Sequence, residues 1–374
     1  MTDFVFGEGK IWLNAASEGP LPKIASEALQ DAIRWKSRPF QLTNEKFISV
    51  PLDLKESIGR LIGVSGRDVV LGNSASYGLH ILANGIPWQK GDEILLMQND
   101  FPANILPWLL LQQKGVKVIQ ISPKDKILTP EELEKNITKK TRLFCVSHVH
   151  TFSGFTLDIK KFGQICHDQG IIFVLNISQS AGTMPIDVSK LQVDAVVSAG
   201  YKWLCGPYGT GFCWMKPSLR QSLELNQAYW IAMCSSQDLE SEGPLELRDI
   251  KTARKYDVFG TANFFNFVPF KAAINYWLKM GLENVRNCHA ALIDRLILQL
   301  QNTPYEFISP KEGFARSSLV VISHRQKEKN LKIFEELKSQ GIFTALWKGN
   351  LRISAHVYNT LKDIDQLAMV LKKF

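Results

Sequence analysis

The feature that most constrains this chain is an alternation. Across the first 250 residues, short apolar runs rich in valine, isoleucine and leucine take turns with helix-like stretches. The runs are "RDVVLG" (67–72), "EILLMQ" (93–98), "VKVIQIS" (116–122), "RLFCVSHV" (142–149), "IIFVLNIS" (171–178), "DAVVSAG" (194–200) and "TGFCWM" (210–215). Strands separated by helices in this way form βαβ units, and βαβ units build a parallel sheet. The runs are apolar at successive positions, so both faces of each are expected to be buried between helix layers. "TPEEL" (129–133) shows how a helix starts here: Thr129 caps, Pro130 suits the first helical position, and Glu132 completes a capping box.

After about residue 255 the texture changes to long amphipathic helices, "FFNFVPFKAAINYWLKMG" and "HAALIDRLILQLQ", with two later strands, "SSLVVISH" and "NLRISA". The expected organisation is a large α/β domain over 15–255 and a smaller α+β domain over 256–374, which also takes in the N-terminal arm 1–14. A chain of 374 residues with 45% hydrophobic composition is long enough for both cores.

Composition then excludes several classes. No apolar run approaches the roughly 18 residues of a membrane span. The opening "MTDFVFGEGK" lacks the order of a signal peptide, so no membrane partner and a cytoplasmic location are expected. Six cysteines without a CxxC pair read as reduced, mostly buried thiols, with no structural metal. "CVSHVH" (145–150) lies on a strand where side chains alternate, and no second cluster completes a metal site. The net charge of +8 is spread along the chain, and "RQKEKNLKIFEELK" (325–338) reads as a solvated helix face, which excludes a nucleic-acid stripe.

In an open parallel sheet, ligands bind beyond the carboxyl ends of the strands, and four of those ends carry unusual residues. Ser74 and Ser76 open a helix after the first run, where the amides and the helix dipole suit a phosphate or where Ser74 simply caps. Phe101 follows the second run, as a plate or as core. Asn176 and Gln179 end the fifth run and have a plainer reading as caps. Lys202, in "SAGYKWLCGPYGTG" (198–211), follows an apolar approach and precedes glycines at 206, 209 and 211. A surface lysine is the common alternative there. Taken in order, these are a phosphate cradle, an aromatic plate, a partner for a ring nitrogen and an amine that can form an imine, which is the set that pyridoxal 5'-phosphate (PLP) requires.

The chain resembles PLP-dependent enzymes of fold type I, in the class V aminotransferase superfamily that includes cysteine desulfurases, kynureninases and isopenicillin N epimerase-like proteins. The resemblance runs from "WLNAASEGPLP" (12–22) through "GYKWLCGPYGTGF" (200–212) to "LRISAHVYNT" (351–360). It implies a mainly parallel seven-stranded sheet between helices, with Lys202 as the Schiff-base lysine and catalytic base. It implies further that Ala75 and Ser76 contact the phosphate and that Tyr201 lies near it. Phe101 stacks on the ring, Asn176 faces the ring nitrogen, and Thr151 and Gln179 lie near the phenolic oxygen. "FGTANF" (259–264) implies that Thr261 reaches the phosphate of a neighbouring subunit, and therefore a homodimer with shared sites. Arg352, with Asn14, is implied to hold the α-carboxylate of an amino-acid substrate, a task that suits the planar guanidinium fork.

Three departures from the family pattern bear on the reaction. Asn176 stands where most such enzymes have aspartate; an amide cannot be a counter-ion and is expected to donate to an unprotonated nitrogen, leaving a weaker electron sink. Phe101 replaces a histidine that shuttles protons. No cysteine precedes Arg352 in "FTALWKGNLRIS", whereas desulfurases place a nucleophilic cysteine there. These tilt the expectation towards β-elimination of the C–S lyase type. The alternatives are a class V aminotransferase or amino-acid epimerase and, from another class, a catalytically weakened PLP-fold binding protein. The loop 225–243, with Tyr229 and Trp230, is the expected neighbour of the substrate side chain, although those two rings read equally as packing.

Overall fold

Side chains one apart on a strand point to opposite faces, and that rule sorts the core of this molecule. The computed structural model describes residues 3–374, apart from positions 226, 235–237, 239, 241, 248, 249, 251 and 261. Strand β1 (Ile11–Trp12) comes first. The seven anticipated runs follow as β2 (Val69–Gly72), β3 (Glu93–Met97), β4 (Lys117–Ile121), β5 (Thr141–Ser147), β6 (Ile172–Asn176), β7 (Ala195–Ala199) and β8 (Gly211–Met215). They form one sheet in the order β2-β8-β7-β6-β5-β3-β4. All neighbours are parallel except that β8 runs antiparallel to both β2 and β7.

Leu71, Leu95, Phe144, Val146, Phe173 and Leu175 pack on one face of this sheet, under helices Asn44–Ile62, Ile159–Asp168 and Phe264–Met280. Val70, Ile94, Leu96, Leu143, Cys145 and Val174 pack on the other, against helix Ala75–Gly85. One run departs from the expected burial. Lys117 and Gln120 of β4 are exposed, because β4 is the edge strand and has a neighbour on one side only. The capping box at Thr129 is present: Glu132 N donates to Thr129 Oγ1 and Glu132 Oε2 accepts from Thr129 N, opening helix Pro130–Asn136.

The C-terminal part holds more strands than the sequence suggested. Besides β10 (Val320–His324) and β13 (Asn350–Ile353), it contains β9 (Tyr305–Phe307), β11 (Ile342–Phe343) and β12 (Ala345–Trp347). The order β12-β13-β10-β9 makes a four-stranded antiparallel sheet. Strand β1 pairs in parallel with β11, and Asn14 bridges Ser354. The short partners escaped reading because two- and three-residue strands show no periodicity. The six cysteines are free thiols, four of them buried. No helix among the described residues is long and apolar enough to cross a membrane.

Candidate active site

Strands β3, β5, β6 and β7 all end at the same edge of the sheet, and there they open a small cavity, at the place where open parallel sheets bind ligands. Its wall contains Ser74, Ala75, Ser76, Phe101, Thr151, Asn176, Gln179, Tyr201 and Lys202. The strand-end rule singles out Ser74, Ser76, Phe101, Asn176, Gln179 and Lys202, and the family resemblance adds Ala75, Thr151 and Tyr201. Ser147, Ser178, Ala103 and Ala199 complete the wall and were not anticipated. Ser147 was within reach of the same rule, since it ends β5 and lies in register with Asn176.

Backbone contacts knit the loop after β7. Gly200 N donates to Thr210 O (2.9 Å), and Gly206 N donates to Gly200 O (2.8 Å). Gly19 N donates to Tyr201 O (2.8 Å), and a Cβ on Gly19 would lie 2.0 Å from Lys202 O, so only glycine permits this approach of the N-terminal segment. Lys202 is thereby held inside, 8% exposed, with its Nζ 5.0 Å from the centroid of the Phe101 ring. Burial pushes its amine down to about 8, and the charge of Arg352 adds to the effect.

Arg352 sits on β13 between Val321 and Ala345 and is 2% exposed. Its Nη2 donates to Asn14 Oδ1 (3.3 Å) and to Ser17 Oγ, while Nε is buried without a partner. None of these contacts is to a carboxylate, and burial pulls the guanidinium down to about 10. An arc of rings joins the two cations: Phe101 stacks near Phe152 (6.5 Å), Phe152 lies 5.9 Å from Trp347, and the Arg352 guanidinium lies 5.6 Å from the Trp347 centroid.

The polar wall is oriented by its own hydrogen bonds. Gln179 Oε1 accepts from Trp203 Nε1 (2.8 Å) and its Nε2 donates to Ala16 O (3.0 Å), leaving one N–H. Ser74 Oγ caps Tyr77 N, and the Ala75 and Ser76 amides open the helix without intrahelical acceptors. Thr151 is buried in the turn closed by Gly154 N donating to His150 O (2.8 Å). Tyr201 is half-buried, and burial together with the Glu18 carboxylate raises its phenol above the usual range. His148 and His150 lie beside this wall, on Ser180 Oγ (2.9 Å) and Ser153 Oγ (2.7 Å). Thr261 lies outside the described residues. Tyr229 lines a different cavity with Phe47 and Phe267, and Trp230 is exposed, so neither joins the Lys202 wall.

The profile of the family described as Aminotransferase class-V matches residues 38–367. The chain belongs to the class-V aminotransferase family. Membership makes it a PLP-dependent enzyme, and the residues in hand fit that cofactor: a buried amine of lowered proton affinity, an aromatic face beside it, a helix start and an amide-lined end lie in one cavity. Among relatives, a probable cysteine desulfurase of Methanothermobacter thermautotrophicus is 28% identical over 97% of this chain and 94% of its own. The isopenicillin N epimerase of Streptomyces clavuligerus is 23% identical, covering 95% and 92%. A solved structure of the cystine C–S lyase C-DES, in complex with its reaction product cysteine persulfide, superposes with a TM-score of 0.89 at 20% identity, covering 98% of both chains. That likeness speaks for the fold, which is fold type I.

Proposed function

We propose that this class-V enzyme is a lyase that cleaves the bond between Cβ and a sulfur leaving group of an α-amino acid. Water completes the balance: a cysteine conjugate and water give a thiol, an α-keto acid and ammonia. The observation that carries the reading is the pair of buried cations, Lys202 and Arg352, that have no carboxylate partner among the described residues and stand at the two ends of one aromatic arc. When bound, PLP supplies an electron sink for charge released at Cα.

The chain's own residues do the rest. Arg352, oriented by Asn14 and Ser17, accepts the substrate α-carboxylate in its fork and so fixes the direction of the Cα–H bond. Lys202 Nζ, whose affinity for a proton burial lowers, takes the Cα proton and passes it to the departing sulfur, which leaves as the thiol. The amides of Ala75 and Ser76 receive the phosphate at the helix start, Tyr201 stands near it, and Phe101 stacks. Gln179, with its remaining N–H, and Thr151 face the phenolic oxygen, and Asn176 faces the ring nitrogen. Thr261 serves a partner subunit in a homodimer, and the division at 255/256 separates the cofactor-binding part from the part that carries Arg352.

Elimination is favoured over desulfuration because the hairpin before Arg352 carries Trp347 and Lys348 and no thiol. It is favoured over transamination because an amide at 176 carries no charge of its own to stabilise a long-lived carbanion. The test is a visible spectrum with added amino acids, cysteine conjugates included, together with assays for keto acid and thiol. Stoichiometric thiol and keto acid support the lyase. Bleaching of the cofactor to its amine form without thiol overturns it in favour of transamination. Asn176→Asp is expected to make transamination appear as a side reaction, and an unchanged product profile would remove the role given to that residue.

A further inference from the structure

Asn176 does not stand alone. Its Nδ2 donates to Asn104 Oδ1 (2.8 Å), and its Oδ1 accepts from Ser178 N (3.0 Å). Both hydrogens of Asn104 Nδ2 are committed, one to Asp100 Oδ2 (2.8 Å) and one to Ser147 Oγ (2.8 Å). Asp100 in turn accepts from Phe101 N (2.6 Å) and from Ser147 N (2.8 Å). All four side chains are buried: Asp100 3%, Asn104 1%, Ser147 5% and Asn176 5% exposed. The three donors to Asp100 are two backbone amides and one side-chain amide, none of them cationic.

A carboxylate only accepts, so Asp100 dictates which end of the Asn104 amide faces it, and Asn104 dictates the same for Asn176. The Ser178 amide, from the opposite side, demands the same orientation. The result is a carboxylate followed by two amides, each donating towards the anion and accepting on its far side. Hydrogen bonds aligned in this way polarise one another in a low-dielectric interior. Asn176 then keeps one lone pair on Oδ1, after Ser178, and one hydrogen on Nδ2, after Asn104.

We infer that Asp100, acting through Asn104, is a positioning residue that keeps the Asn176 oxygen as a strengthened acceptor and so raises the proton affinity of the cofactor ring nitrogen. This replaces the expectation that Asn176 donates to an unprotonated nitrogen: the carboxylate absent from position 176 acts from two side chains away, and the sink stays weaker than with aspartate in direct contact. This rests on the proposal that Asn176 faces the ring nitrogen, and the test separates the two.

The full-length enzyme is loaded with PLP carrying 15N in the ring, and the nitrogen resonance is recorded for the wild type, Asn176→Asp, Asp100→Asn and Asn104→Ala. Asp100→Asn removes the negative charge and leaves at least one of the three donors without an acceptor. Asn104→Ala cuts the chain while leaving Asp100 on its two backbone amides, and it carries the test if the first variant fails to fold by circular dichroism. The expected result is a wild-type resonance between that of Asn176→Asp and the unprotonated-pyridine limit, with Asp100→Asn and Asn104→Ala shifted to that limit. A shift in Asn176→Asp with none in the other two overturns the relay alone. No shift in any variant overturns the placement of Asn176 as well.

Discussion

Among the described residues, four buried lysine and arginine side chains divide into two pairs that the molecule treats differently. Lys55 on helix Asn44–Ile62 is 3% exposed and meets Asp257 Oδ2 at 2.7 Å, and Arg220 is 6% exposed and meets Asp68 Oδ1 at 2.8 Å. Asp257 also accepts from Leu71 N (2.9 Å), so it anchors the first strand of the large sheet. Lys202 and Arg352 are buried as deeply, yet no carboxylate meets either among the described residues. A buried charge beside its counter-ion is part of the structure. A buried charge without one lowers stability and is kept where a ligand completes it.

The largest expected effect breaks the second pair. Lys202→Ala should lower kcat/KM by about 10⁴-fold or more, while the cofactor-free protein becomes more stable. The sign follows from the depressed amine. Below pH 8 Lys202 is charged in both folded and unfolded states, so burial penalises the folded state in full; the penalty fades from about 8 to the ordinary 10.5. Thermal denaturation across pH 7 to 11 should show the gain in Tm of the variant shrinking through that window. A gain that does not change with pH would contradict a buried ammonium.

The second prediction breaks the first pair. Asp257→Ala strands Lys55 and should cost about 3–5 kcal/mol in urea unfolding. Adding Lys55→Met should restore much of that loss, which would sharpen the contrast, since neither change removes a group from the Lys202 cavity. No recovery in the double variant would mean that Asp257 acts through Leu71 alone.

The smallest effect concerns buried groups that stay neutral. Val357 N donates to His356 Nδ1 (2.8 Å), so the His356 proton is on Nε2 and goes to Trp203 O (2.9 Å). His289 Nε2–H then donates to His356 Nδ1 (3.2 Å), and Ser318 Oγ donates to His289 Nδ1 (2.8 Å). No acceptor is left for a second proton, and burial pushes His356 down to about 4. Stability is therefore complete above about 6.5 and declines as pH falls towards 4, by roughly 3 kcal/mol. His356→Asn should be less stable at pH 7 and should lose this slope, measured by urea unfolding at pH 4.5 and 7.

Much of the site could be read along the chain because strands announce their own ends. Ser74, Phe101, Asn176 and Lys202 each follow an apolar run, and parallel strands deliver such residues to one edge. Asp100 and Asn104 carry no comparable signal. They lie in a short 3-10 turn at 102–104 and its approach, and only the packing of β3 beside β5 and β6 gives them partners. The same holds for Ser17 at Arg352, 335 residues away in the chain.

The sequence by itself determined the seven strands and the helix starts at Ser74 and Thr129, because side-chain direction and capping depend on neighbours within a few residues. It also carried the family resemblance in its motifs. Tertiary structure alone decided that β4 is an exposed edge, that β8 reverses, that β1 joins β11 to bring Asn14 beneath Arg352, and that an anion stands behind Asn176. Those outcomes depend on which distant surfaces meet, and the energy of such contacts leaves no mark on the local periodicity of either partner.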